Sequence, residues 1–295
     1  MTNHLASVAM LVDFSASQWT ARKIDKAMSQ TVNENACANG KASHVSKKLI
    51  LSDTHSLIGT CVSRARARHV ELTSPWLDAG PRMLAAKMHG SYVSEMETFE
   101  REFWPLVDTF CANYPRYIDQ ARASYAGLGQ LFNENDYPKE SRIRAKFGWR
   151  CEFMPVPTSS DFRVDVGQAA VERIKAGIEA RLVESANNAV RDVFERVHDK
   201  VSAMVDKLGA YKPAAKLGDR TEGIFRDSLV ENIRDLVDLM PGLNFTGDAR
   251  INDLVIQMQA LVTHDAETLR ASDNIRQTVA AQAAAVVAAV SDFMA

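Results

Sequence analysis

The sequence predicts a mainly α protein with a small antiparallel β-sheet and a long-helix bundle or coiled-coil-like arm. Three patterns carry that expectation. Apolar residues at Val171, Ile174, Ile178, Leu182, Ala186, Val190, Val193, Val197, Val201 and Met204 recur every 3.67 residues on average, an eleven-residue period that keeps one seam on a straight or slightly right-handed helix. A second run, Leu84, Met88, Tyr92, Met96, Phe99, Phe103, Leu106 and Phe110, marks one face of another long helix. Between them, odd positions from Ile143 to Phe153 are apolar or small and even positions include Arg144, Lys146, Arg150 and Glu152, the alternation of a strand.

In chain order, Val8 to Phe14 is rich in β-favouring residues and pairs with the alternating strand. A helix is expected from Ser17 to about Val32, with Ser17 as cap and Trp19, Ile24 and Met28 inward. Asn33 to Ser43 is a loop by composition, Lys47 to Val70 a helix, and Thr73 to Pro81 its break. Pro105 lies within the second apolar run, and a kink or break is expected near Trp104 because proline removes a donor and clashes with the preceding turn. The helix resumes after Pro115 to about Phe132 and ends in the turn-forming residues Asn133 to Asp136.

Pro155 and Pro157 stiffen the connection from the alternating strand to another at Phe162 to Val166, which leads into the long helix. That helix spans roughly 60 Å at 1.5 Å per residue. Leu208 to Asp219 ends it with glycine and proline, and three shorter helices follow at Thr221 to Met240, Asp248 to Arg270 and Ser272 to Phe293. The expected division is a mixed helical domain with the sheet over 1–166 and a helical hairpin or bundle arm over 167–295.

Composition narrows the function classes. With 46% hydrophobic and 24% charged residues and a formal net charge of -2, the chain is neither disordered nor globally attracted to polyanions, so any nucleic-acid affinity needs a local patch. The cysteines, Cys37, Cys61, Cys111 and Cys151, have no CxxC or zinc spacing and read as free thiols of a reducing cytoplasm. The N-terminus lacks the basic start of a signal peptide, and the longest apolar tract, Val279 to Val290, falls short of the ~20 residues that span a bilayer, so no membrane association is expected.

The candidate site is the basic segment. Arg142, Arg144, Lys146 and Arg150, with Lys139 before them, face one acid, Glu140. Strand alternation puts Phe147 and Trp149 opposite these cations, whereas single-strand nucleic-acid binders keep cations and aromatic platforms in one groove. The segment is therefore either a buried aromatic face with a solvated basic back or a basic contact surface for nucleic acid or an acidic protein. Ser63 to His69 is a second basic cluster, read as a solvated helix because its arginines form no continuous stripe. Asp53 with His55, and His264 with Asp265, lack a third ligand, so no metal is expected. Gly127 and Gly129 lack the rest of a phosphate loop, and Glu95, Glu97, Glu100 and Glu102 lie on an outer helix face where solvent or Arg101 satisfies them. No cofactor and no catalytic set is expected. The Ala-rich end suits core packing and self-association equally.

SQWTARK near the start, Tyr137 and Pro138 followed by KFGWRCEFMPVP and DFRVDV, then PGLNFTGDARINDL and LRASDNIRQTV, together resemble a family of unknown function in tailed phages and prophages. The resemblance runs through most of the chain. Members are often encoded near a MoxR-type AAA ATPase and a von Willebrand A-type protein, which implies an accessory or adaptor in the host cytoplasm. The expected function is a non-enzymatic interaction module whose partner is that AAA ATPase or another copy of itself. The alternative is a nucleic-acid-binding phage protein using Arg142, Arg144, Lys146 and Arg150.

Overall fold

In the computed structural model, residues 2–35, 42–76, 80–126, 132–161, 167–213 and 220–294 are described. The protein is mainly helical, with a four-stranded and a two-stranded antiparallel sheet. Two compact units interleave along the chain. One comprises Met1–Asp13, Val70–Gly90 and Glu152–Ala295, the other Phe14–His69 and Ser91–Cys151, a division that differs from a contiguous boundary at 166.

The larger unit is built on the long helix. Following α1 (Thr2–Val8), β1 (Ala9–Ser17) enters the four-stranded sheet, whose order is β4 (Ser74–Pro75), β5 (Arg82–Ala85), β1 and β6 (Gly148–Pro155), and of which Ala9–Asp13, β4, β5 and Glu152–Pro155 fall in this unit. Ala9 to Val12 pair antiparallel with β5, Ala9 opposite Ala85 and Val12 opposite Arg82. The neighbouring of β1 and β6 follows the expected pairing, whereas β5 occupies residues expected as the start of a helix. The strand expected at Phe162 to Val166 lies outside the described residues.

Helix α7 (Gln168–Ala210) is 43 residues long. Its seam behaves differently along its length. Val193, Val197, Val201 and Met204 are fully buried among α8 (Ser228–Leu243), α9 (Ala249–Leu261), α10 (Ala266–Ala271) and α11 (Asp273–Met294). From Gln168 to Arg181 no position is buried, and Ile174 is 38% exposed. The single helix expected over Asp248 to Arg270 is split, because Val262 leaves helical geometry and Asp265 caps a new helix by accepting from the Thr268 N–H at 2.7 Å. Helix α8 runs through Pro241 rather than ending before it.

Helix α11 is long and apolar enough to cross a membrane by length and composition, although Val279, Ala283, Val286 and Val290 bury one face in the bundle. Arg196 of α7 donates to the carbonyls of Val70, Glu71 and Thr73.

In the smaller unit, the expected helix from Ser17 is replaced by β2 (Arg22–Asp25), which pairs antiparallel with β3 (Val45–Lys48), and only Lys26–Asn35 forms a helix, α2. Ile24 and Met28, expected inward, are 54% and 43% exposed. Helices α3 (Asp53–Leu72), α4 (His89–Ala112) and α5 (Tyr114–Tyr125) enclose an aromatic core of Phe103, Phe110 and Tyr114 with Ile58 and Val62. Helix α4 continues through Pro105. Phe103 on one side of the proline and Val107 and Phe110 on the other are fully buried, so packing holds the helix across the missing hydrogen bond.

Candidate functional site

The basic segment is a helical entry to a strand. Glu140–Ile143 form a short helix, α6, Arg144–Lys146 a 3-10 turn, and β6 starts only at Gly148. The expected strand from Ile143 is thus corrected over its first five residues. Ile143 and Phe147 are buried and four residues apart, as one helical face requires, while Ala145 between them is exposed. A spacing of four satisfies both periods, and the exposed Ala145 decides between them.

This conformation distributes the four predicted cations. Arg142 and Lys146, four residues apart, are exposed, as is Lys139. Arg144 pairs with Asp108 at 3.0 Å, and its guanidinium lies 4.8 Å from the Trp104 ring centroid. That arginine is held in a structural role by α4. Arg150 is exposed on β6 and has interactions of its own. The structure therefore ties Arg144 to Asp108 and Trp104, leaves Arg142 and Lys146 exposed in the helical entry, and places Arg150 on the strand that follows.

The aromatics of the segment belong to the core. Phe147 packs edge-on against Phe110 at 5.6 Å, and Trp149 packs against Phe103 at 5.3 Å and Phe14 at 4.9 Å. Phe147 is buried and Trp149 half-buried, so neither presents an open stacking platform.

The second basic cluster is exposed at Arg64 and Arg66, and its arginines have partners. Arg64 forms hydrogen bonds with Glu102 at 3.0 and 3.2 Å, Arg68 with Glu95 at 2.9 Å, and Arg66 donates to the Ala16 carbonyl at 2.6 Å. Residues four apart on α3 and seven apart on α4 meet as two rungs of one helix pair, which also gives Glu95 and Glu102 partners other than Arg101. Asp53, His55, His264 and Asp265 assemble no metal centre: no group of three or more His, Cys, Asp or Glu is placed to hold one among the described residues. His55 Nε2 lies 2.7 Å from the Trp19 carbonyl. Gly127 and Gly129 lie outside the described residues.

Sequence reasoning missed two features. In the smaller unit, His69 Nδ1 lies 2.7 Å from the Tyr92 hydroxyl, which also accepts a long contact from Cys151 Sγ at 3.8 Å. Burial, with Cys151 adding to it, pushes the Tyr92 hydroxyl far above its ordinary value, so it stays protonated as a donor. Burial also pushes the Cys61 thiol up to about 11. Residues 69, 92 and 151 share no local spacing, and only the tertiary fold joins them. In the larger unit, an apolar cleft of about 300 Å³ lies among α1, α7 and the turn after α8, lined by Leu5, Leu182, Val183, Val190 and Phe245.

Comparison with protein-family models, with curated proteins and with solved structures gives no match.

Proposed function

We propose that the protein is a non-enzymatic interaction module of a tailed phage or prophage, presenting the first third of α7 to a protein partner, the AAA ATPase implied by the resemblance. A second copy is the other partner compatible with the same surface. The observation that carries the reading is the change in burial along α7. Its apolar seam begins at Val171, yet the first buried position is Leu182, so Val171, Ile174 and Ile178 continue a core stripe without entering the core. Apolar residues held at helical spacing outside the core match the anchors of helix-mediated recognition.

The test is affinity purification of the tagged protein from cells carrying the phage, with nuclease treatment, beside an Ile174→Lys/Ile178→Lys variant. The AAA ATPase is expected to co-purify with the native chain, survive nuclease and disappear with the variant. A chain that recovers neither the ATPase nor a second copy sinks the proposal.

A nucleic-acid-binding reading is favoured by one different observation. The smaller unit carries 17 Lys and Arg against 12 Asp and Glu, an excess hidden by the net charge of the whole chain. On this reading Lys139, Arg142 and Lys146 contact phosphates, and Arg144 contributes only through its support of the turn.

A further inference from the structure

The two-stranded sheet β2–β3 places cations directly opposite one another twice. Its register sets Arg22 across from Lys48 and Lys23 across from Lys47. Because strand side chains alternate, the two pairs lie on opposite faces. Like charges directly opposite in an antiparallel pair repel, so each needs an anion or destabilises the sheet.

The inner pair has its anion. Asp136 sits between the two ammoniums, with Lys23 Nζ at 2.5 Å from one carboxylate oxygen and Lys47 Nζ at 2.7 Å from the other. The outer pair does not. Arg22 and Lys48 are exposed, and neither forms an ion pair among the described residues. On their face, Ile24 is 54% exposed opposite the exposed Ser46.

The backbone adds a second, independent cost at the same place. Ala21, immediately before Arg22, has φ +49°, a left-handed conformation that a side chain disfavours. It is buried, and its carbonyl accepts from the Leu49 N–H at 2.7 Å, so the fold enforces the turn that delivers Arg22 to the outer face. Repulsion and backbone strain maintained together are the pattern expected where a surface is kept for binding.

The geometry points to a docking site for an acidic, partly apolar segment of a protein partner, in which a carboxylate bridges Arg22 and Lys48 as Asp136 bridges the inner pair, and an adjacent apolar side chain covers Ile24. A guanidinium and an ammonium a cross-strand spacing apart suit one carboxylate. Peptide is favoured over nucleic acid because neither β2 nor β3 carries an aromatic residue on which a base could stack, and the residue that accompanies the cations is an isoleucine. The site lies in the smaller unit and does not depend on α7.

The test uses the full chain and a fluorescein-labelled peptide of alternating glutamate and leucine, read by anisotropy at low salt, with labelled oligothymidylate as comparator. Arg22→Glu is expected to weaken peptide binding by about tenfold or more, while the thermal midpoint holds or rises, because the new glutamate pairs with Lys48. In the Arg22→Glu/Lys48→Glu variant, a peptide of alternating lysine and leucine is expected to bind in place of the acidic one. Absence of binding by the native chain, or binding indifferent to Arg22→Glu, overturns the inference. Tighter binding of oligothymidylate, lost on the same substitution, also overturns it and assigns the pair to a phosphate backbone.

Discussion

Asp136 shows how a single side chain organises the smaller unit. Its burial works against ionisation, but the hydrogen bonds and charges of Lys23 and Lys47 outweigh that effect and hold the carboxyl below its ordinary value. A carboxylate whose folded value is depressed stabilises the fold above the unfolded value of about 3.9, and that contribution is lost as pH falls through the folded value. Asp136→Asn is therefore expected to cost about 1–3 kcal/mol near neutral pH, and the difference from the native chain should shrink in acid. Urea unfolding across the acid range checks this; a gap that stays constant into strongly acidic solution would show that the lysine pairs contribute nothing. Neighbouring tyrosines support the same region: the Tyr137 hydroxyl, pushed up to about 12 by burial, donates to the Leu49 carbonyl at 3.0 Å, and Tyr114 donates to the Pro138 carbonyl at 2.9 Å.

Among the elements, α7 joins a stretch without buried positions to one seated in the bundle core. Val197 is fully buried in the bundle core, so Val197→Ala is expected to cost roughly 2–3 kcal/mol from lost burial and the cavity left behind. Ile174 is on the same predicted stripe but outside the core. Ile174→Lys is expected to leave the unfolding midpoint unchanged, and equal destabilisation by the two substitutions would show that both halves of the seam serve the fold. The C-terminal end of α7 is set by backbone geometry: Lys212 pairs with Glu222 in an isolated bridge, and Gly223 takes φ +62°, where an added Cβ would meet the backbone of Ala210. Helix α4 teaches the complementary lesson, since its proline costs a hydrogen bond but the buried aromatics on either side retain the helix.

Across the whole molecule, a net charge of -2 conceals opposite balances. The larger unit carries 18 Lys and Arg against 25 Asp and Glu, the reverse of the smaller one. Electrostatic attraction to polyanions should therefore be a property of the smaller unit and weaken with salt. If Lys139, Arg142 and Lys146 contact single-stranded nucleic acid, the logarithm of affinity should fall against the logarithm of salt with a slope of about -2, and replacing Arg142 and Lys146 by alanine should make it shallower by about 1.4. Anisotropy titrations at several salt concentrations measure both quantities. A flat response excludes phosphate contacts by these residues and leaves the protein-partner reading.

The sequence by itself determined the mainly α class, the small antiparallel sheet, the long helix and the pairing of β1 with β6, because burial imposes a period that survives in the order of residues. It also located the cations at Arg142, Arg144, Lys146 and Arg150. Tertiary structure decided which of those cations are paired and which stay exposed. Ile143 and Phe147 are compatible with helix and strand alike, and it is their burial in the core with Ala145 left exposed that marks the helical turn in which Arg144 pairs with Asp108 and Arg142 and Lys146 stay exposed. The β2–β3 sheet at Arg22 and Lys48 was illegible for the same reason: its apolar residues suit one helix face, while cross-strand register and the bridging Asp136, 113 residues from Lys23, are set by contacts that no local period encodes.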